Sequence, residues 1–164
     1  MAGKDHRYVN VGCGDIFAPE PWVNVDKCAQ LEPDVVASIT DLPFGTGTVE
    51  WCYAGHVLEH LEWPDEVADA LVELKRVLHP GGHLLVVCPD IERARAEGDP
   101  ATIDGVLLGA HRWPGDEHRW VCSATILLPV VKMTFPTATE VPIHTVPSGW
   151  PVDHRLAWQL AIMT

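Results

Sequence analysis

Three groups of residues in this chain have the types and spacing for chemistry. The first is Gly12-Cys13-Gly14, which ends an apolar run, with Asp26 closing the next such run. A glycine turn after a strand lets backbone approach a ligand closely, and an acid ending the following strand can accept hydrogen bonds from ribose hydroxyls. The second is the run His56-Val57-Leu58-Glu59-His60. On a helix His56 and His60 would share a face and could hold a metal, but the glutamate stands next to the second histidine, unlike the order in HExxH. A loop anchored by hydrogen bonds from Glu59 and His60 is the reading adopted, with no metal. The third is residues 107–123, which gather His111, Asp116, His118 and Arg119 with Trp113 and Trp120. A histidine near a carboxylate can act as general base, so His118 and Asp116 are the catalytic candidates. The alternative is an exposed loop whose tryptophans cover the core.

The glycine loop narrows the ligand. A dinucleotide fingerprint wants a third glycine three places beyond Gly14, where Phe17 stands, and an acid about 20 residues on, whereas Asp26 comes earlier. NAD is therefore disfavoured. No lysine and hydroxyl pair follows the glycines, so a phosphate-binding Walker loop is absent too.

These groups need elements to position them. Residues 7–11 and 22–26 are short β-branched runs ending in glycine or polar residues, and read as strands one and two. Residues 33–40 give a third strand and 49–54 a fourth, after a turn at Gly45 to Gly47. Residues 83–89 are the most hydrophobic run and read as a buried fifth. Between the last two, Val67, Leu71, Leu74 and Leu78 recur at helical steps, predicting a helix over 64–78. Pro64, Asp65 and Glu66 suit its start, Lys75 and Arg76 its end, and His79 to Gly82 its stop. Strand, helix, strand in this order is a parallel crossover. Further on, a short helix after Pro89 and another from Ser123, capped by that serine and interrupted by Pro129, are expected. Residues 141–146 and 156–164 read as an antiparallel hairpin closing the sheet.

Composition bounds the class. The 164 residues are 47% hydrophobic, enough for one compact core, so a single domain over 1–164 is expected. No apolar run is long enough for a membrane span or a signal peptide, which points to the cytoplasm. Five scattered cysteines without a CxxC pair argue against disulfides or a cysteine-rich zinc site. A net charge of -12, from 11 basic against 23 acidic residues, disfavours nucleic acid as a partner.

The order "VNVGCG", "WVNVD", "DLPFGTGTVEWCYAGHVLEHL" and "LKRVLHPGGHLLVVCPD" resembles the class I S-adenosylmethionine (SAM) dependent methyltransferases. Within them it is similar to a small group with LGCG, WVNVD, HVLEHL and RVLxPGG motifs; the likeness is strong over residues 8–92. The resemblance implies a Rossmann-like α/β sandwich with a mostly parallel sheet, a C-terminal antiparallel hairpin and an abbreviated connection, "DIFAPEP", in place of the first helix. It implies SAM as cofactor. Val11, Gly12, Cys13 and Gly14 would line its methionine and ribose, Asp26 would take the ribose hydroxyls, Asp41 and Leu42 would border adenine, and Gly55 and His56 would lie beside the methionine and the methyl. The DNA-amino "[DNS]PP[YF]" motif is replaced by "AGHV" here, and Cys88-Pro89 reverses the cytosine-C5 order. A small-molecule or sugar-like acceptor fits better than nucleic acid. The alternative is a non-catalytic SAM-binding or protein-interaction module on the same fold.

Overall fold

The computed structural model describes residues 6–109, 112, 115–152 and 158–164. His111, Trp113 and the first two residues of the expected last strand, Leu156 and Ala157, lie outside the described residues.

Apolar alternation builds a seven-stranded sheet in the order β3-β2-β1-β4-β5-β7-β6. β1 (Tyr8–Val11), β2 (Val23–Asp26), β3 (Val35–Val36), β4 (Val49–Gly55) and β5 (Leu78–Pro89) pair in parallel. β6 (Thr139–Val141) and β7 (Gln159–Met163) form an antiparallel pair, and β7 joins β5 antiparallel. The expected α/β sandwich with its closing hairpin is therefore the fold observed. The third strand is far shorter than its sequence run, because residues 38–41 turn back on themselves, Asp41 N donating to Ser38 O at 3.1 Å.

One face of the sheet is covered as the helical periodicity predicts. α1 (Asp65–Val77) buries Val67, Ala70, Leu71, Leu74 and Val77 against Val9, Val11, Val25 and Leu84. It ends without a break, since Leu78 already pairs with Val49 in the sheet and "HPGG" belongs to β5. α4 (Ala124–Thr134) packs Leu127 and Val131 on the same face and runs through the exposed Pro129 uninterrupted. Ser123 stands at its N-cap position, but the hydroxyl makes no capping bond; Ala124 N donates to Asp90 Oδ2 instead, at 3.3 Å. Asp90 also caps α2 (Ile91–Glu97), and α3 (Pro100–Leu108), which periodicity did not announce, follows.

The opposite face is closed without a helix between β1 and β2. Residues 12–22 run as turns, and two buried asparagines hold them down. Asn24 Oδ1 accepts from Ala18 N at 2.8 Å and from Asn10 Nδ2 at 2.9 Å, while Asn24 Nδ2 donates to Ala18 O at 3.0 Å. Ala18, Trp22 and Trp150 then cover Tyr53, Leu85 and Val87, the Trp22 indole donating to Gly149 O. Tryptophan area and buried amide bonds replace the amphipathic stripe that a helix would have supplied.

Candidate functional site

The glycine loop leaves β1 at its carboxyl end, where open α/β sheets bind ligands. Gly12 has φ 68° and Gly14 φ 54°, both in the left-handed region. A Cβ on Gly12 would also run into the Val57 side chain, so the loop after β1 can approach the loop after β4 only with glycine there. Asp26 is fixed from both sides: Oδ2 accepts from Gly14 N at 2.9 Å and Oδ1 from Cys28 N at 2.8 Å. Each oxygen keeps a further lone pair for a ligand. Cys13 packs beside them, and burial, then the Asp26 charge, pushes its thiol up to about 12. It is a wall here, not a nucleophile.

At the end of β4 the chain turns sharply. His56 takes φ 54°, a left-handed conformation uncommon outside glycine, held by its N–H to Val87 O at 2.7 Å. The next turn, Leu58–His60, is a single 3-10 turn, so His56 and His60 do not share a helical face. The imidazole of His56 reaches Gln159 Nε2 at 2.8 Å and stands 3.2 Å from Glu59 Oε1. Glu59 is wholly buried, and neither of its carboxylate oxygens has a hydrogen-bond partner, so the His56 contact is close but poorly aligned. Burial pushes this carboxyl up; the contact and charge of His56, with the charge of His60, outweigh it and hold it below the usual glutamate range.

His118 comes to the same place from the stretch after α3, its backbone N–H donating to Leu108 O at 3.3 Å. Its Nδ1 lies 2.7 Å from Val106 O, which places the proton on Nδ1 and leaves the Nε2 lone pair 4.0 Å from Glu59 Oε1. Burial lowers its pKa, favouring the neutral ring. His60 does anchor its loop, Nδ1 lying 3.0 Å from Glu117 O, with its ring centroid 5.0 Å from that of His118. Glu59 anchors through its backbone, its carbonyl accepting from Arg119 N at 2.8 Å. The carboxylate beside His118 is thus Glu59. Asp116 is spent on Arg112, accepting from its N–H at 2.9 Å and from Nε at 3.3 Å.

These groups open into one cavity of about 540 Å³. Gly12, Cys13, Gly14 and Asp26 line it beside Gly55 and His56, the loops after β1 and β4 being neighbours, and His60, Asp116 and His118 are also on its wall. Val11, Asp41 and Leu42 are not among the lining residues. Val11 points into the α1 face, one step out of phase with Asn10, which does line the cavity. Asp41 is exposed on its turn and Leu42 is buried under α1, where Glu73 Oε1 accepts from Leu42 N at 2.7 Å; Ser38 and Ile39 form that wall. Asn10, Tyr53 and Gln159 were missed, although a polar residue inside "YVNV" and "WQLAIM" was a visible signal. Thr102 and Val106 of α3 also line it, and nothing in the sequence pattern marked them.

The model of a family described as "Methyltransferase domain" matches residues 3–86, from ahead of β1 to within β5. The chain belongs to the class I SAM-dependent methyltransferases. No curated protein matches it. Solved structures share the fold at low identity. A SAM-dependent methyltransferase from Archaeoglobus fulgidus is 10% identical, with a TM-score of 0.64 over 96% of this chain and 85% of that one. A possible histamine N-methyltransferase from Thermotoga maritima is 15% identical, with a TM-score of 0.61 over 96% and 80%. A SAM-dependent methyltransferase from Mesorhizobium loti is 14% identical, with a TM-score of 0.58 over 98% and 90%. The residues of this methyltransferase fit SAM in kind: a loop that only glycine can form at Gly12, and beside it a fixed carboxylate with lone pairs to spare. Among the described residues of the methyltransferase no helix is long and apolar enough to cross a membrane.

Proposed function

We propose that this methyltransferase, acting as one domain over residues 1–164, methylates a small acceptor, sugar-like or otherwise compact, through a nucleophilic oxygen or nitrogen. The observation carrying this reading is a cavity of about 540 Å³ whose wall joins the glycine loop and Asp26 to His56, His60 and His118. Its size is that of small-ligand sites, about 300 to 1,000 Å³. The net charge of -12 weighs against a nucleic-acid acceptor. The Thermotoga maritima structure, described as a possible histamine N-methyltransferase, is in keeping with a compact amine among the acceptors.

When bound, SAM supplies a methyl group made electrophilic by its sulfonium charge. The protein's work is binding, alignment and proton removal. Gly12, Cys13 and Gly14 admit the cofactor's backbone-facing side, and Asp26 takes ribose hydroxyls in charge-assisted bonds worth about 1.5 to 3 kcal/mol. Gly55 and His56 border the transfer position. His118 holds its own proton against Val106 O and can accept the acceptor's proton at Nε2. Such alignment can contribute up to about 7 to 11 kcal/mol.

The test is S-adenosylhomocysteine formation with a panel of monosaccharides, phenols and amines. Acceptor-dependent product is expected, falling about 100-fold or more in His118→Ala while SAM binding persists. Equal turnover by both proteins, or turnover on oligonucleotides alone, would overturn the reading.

A further inference from the structure

We infer that Glu59, His60 and His118 form a site for a divalent first-row transition ion, of which zinc is the representative, at the wall of the cavity that His60 and His118 line. One ligand atom from each residue lies within 4.8 Å of the others. Two imidazoles and one carboxylate make a three-ligand set that leaves a coordination position open, the arrangement of catalytic rather than structural zinc. Imidazole donors select such ions over magnesium or calcium, which prefer oxygen.

Three further observations point the same way. Both histidines already have Nδ1 against a backbone carbonyl, His60 with Glu117 O at 3.0 Å and His118 with Val106 O at 2.7 Å. That outer-shell bond is the one metal-binding histidines almost always make, and it leaves Nε2 of each ring for the ion. Glu59 is wholly buried, with both oxygens lacking a hydrogen bond, an arrangement that is costly without a cation. His56 Nδ1 stands 3.2 Å from Oε1, too poorly aligned to bond now but near enough to become an outer-shell partner once the carboxylate turns toward an ion. Tetrahedral bonds of about 2.0 to 2.2 Å put ligand atoms about 3.4 Å apart, so the 4.0 Å from His118 Nε2 to Glu59 Oε1 must shorten by about 0.6 Å and no pair, all lying within 4.8 Å, by more than about 1.4 Å.

His60 and His118 line the cavity, so the open position faces the acceptor. An ion there would bind an acceptor hydroxyl oxygen and lower its pKa, the proton leaving to solvent through the cavity and the oxygen keeping a lone pair for the methyl, with Nε2 of His118 serving as ligand in place of accepting the proton itself. That use of the ion rests on the methyl-transfer reading, whereas its binding does not.

The experiment is calorimetric titration of chelator-stripped full-length protein with zinc chloride, and with magnesium chloride as the control, followed by SAM on the same samples. One zinc per chain is expected, with binding weakened beyond about 100-fold in Glu59→Gln and in His118→Ala, since loss of a ligand exceeds the 10- to 100-fold loss seen for outer-shell partners. His60→Ala, changed at a half-exposed position, gives the same result if either buried variant fails to fold. Absence of zinc binding by the folded wild type, or undiminished binding in the variants, would overturn the site. Retained SAM binding in that event would leave the methyl-transfer reading standing; its loss with zinc binding intact would strike that reading alone.

Discussion

At Gly12 two constraints meet, a backbone in the left-handed region and the Val57 side chain where a Cβ would go. Gly12→Ala should therefore cost at least about 1 to 2 kcal/mol, lowering the melting temperature by about 2 to 8 °C, and it should weaken SAM as the loop backs away. Unchanged melting and unchanged affinity would mean that the two loops do not meet in this way. Residues near in sequence are legible at this scale: the glycines and Asp26 share one cavity wall because a strand end and its loop are local facts. Partners distant in sequence are not. His118 lies far from Glu59 in the chain, so proximity in sequence suggests Asp116, whose Oδ2 in fact holds Arg112. Val11 was placed on the ligand side although strict alternation with Asn10 turns it toward α1.

The elements show why the cavity keeps its shape. α1 contributes more than an apolar stripe. Glu73 accepts from Leu42 N at 2.7 Å and from Arg76 Nε at 2.7 Å, and Arg76 donates to the carbonyls of Leu42 and Phe44, so the turn after β3 is tied to the helix. The hydrogen bond from Arg76 holds the Glu73 carboxyl below its ordinary pKa. A depressed carboxyl stabilises the fold fully above the unfolded pKa of about 4.3, and the benefit is lost as pH falls through the lower folded value. Glu73→Gln should cost about 1 to 3 kcal/mol at pH 7, with the gap to wild type closing below about pH 4 in urea melts. A gap independent of pH would show that the charge plays no part. The helix itself was plain from its periodicity, whereas these ties were not, because they join a helix to a turn some 30 residues away. The asparagines that stand in for the first helix were equally hidden, since Asn10 and Asn24 look like interruptions of strands until Ala18 is seen between them.

On the scale of the whole molecule, the parallel crossover and the closing hairpin follow from patterns that the sequence displays openly, and the family match over residues 3–86 takes in the first of these and not the hairpin. The roof of the cavity does not. α3 offers Thr102, Gly105 and Val106 to the ligand, yet its only fully buried side chain is Val106, so no apolar stripe marks it. Arg112 reaches back across the mouth to Asp15 beside the glycine loop, at 2.8 Å, an exposed contact worth under about 1 kcal/mol. Roof and glycine loop are thus lightly latched, and the binding of SAM beneath them is where the account is most exposed. The decisive measurement is calorimetric titration of wild type and Asp26→Ala with SAM and S-adenosylhomocysteine. One site of micromolar affinity, weakened about 10- to 100-fold by the substitution in a protein that still melts cooperatively, is the result this account requires. No binding by folded wild type, or equal binding by Asp26→Ala, would contradict it.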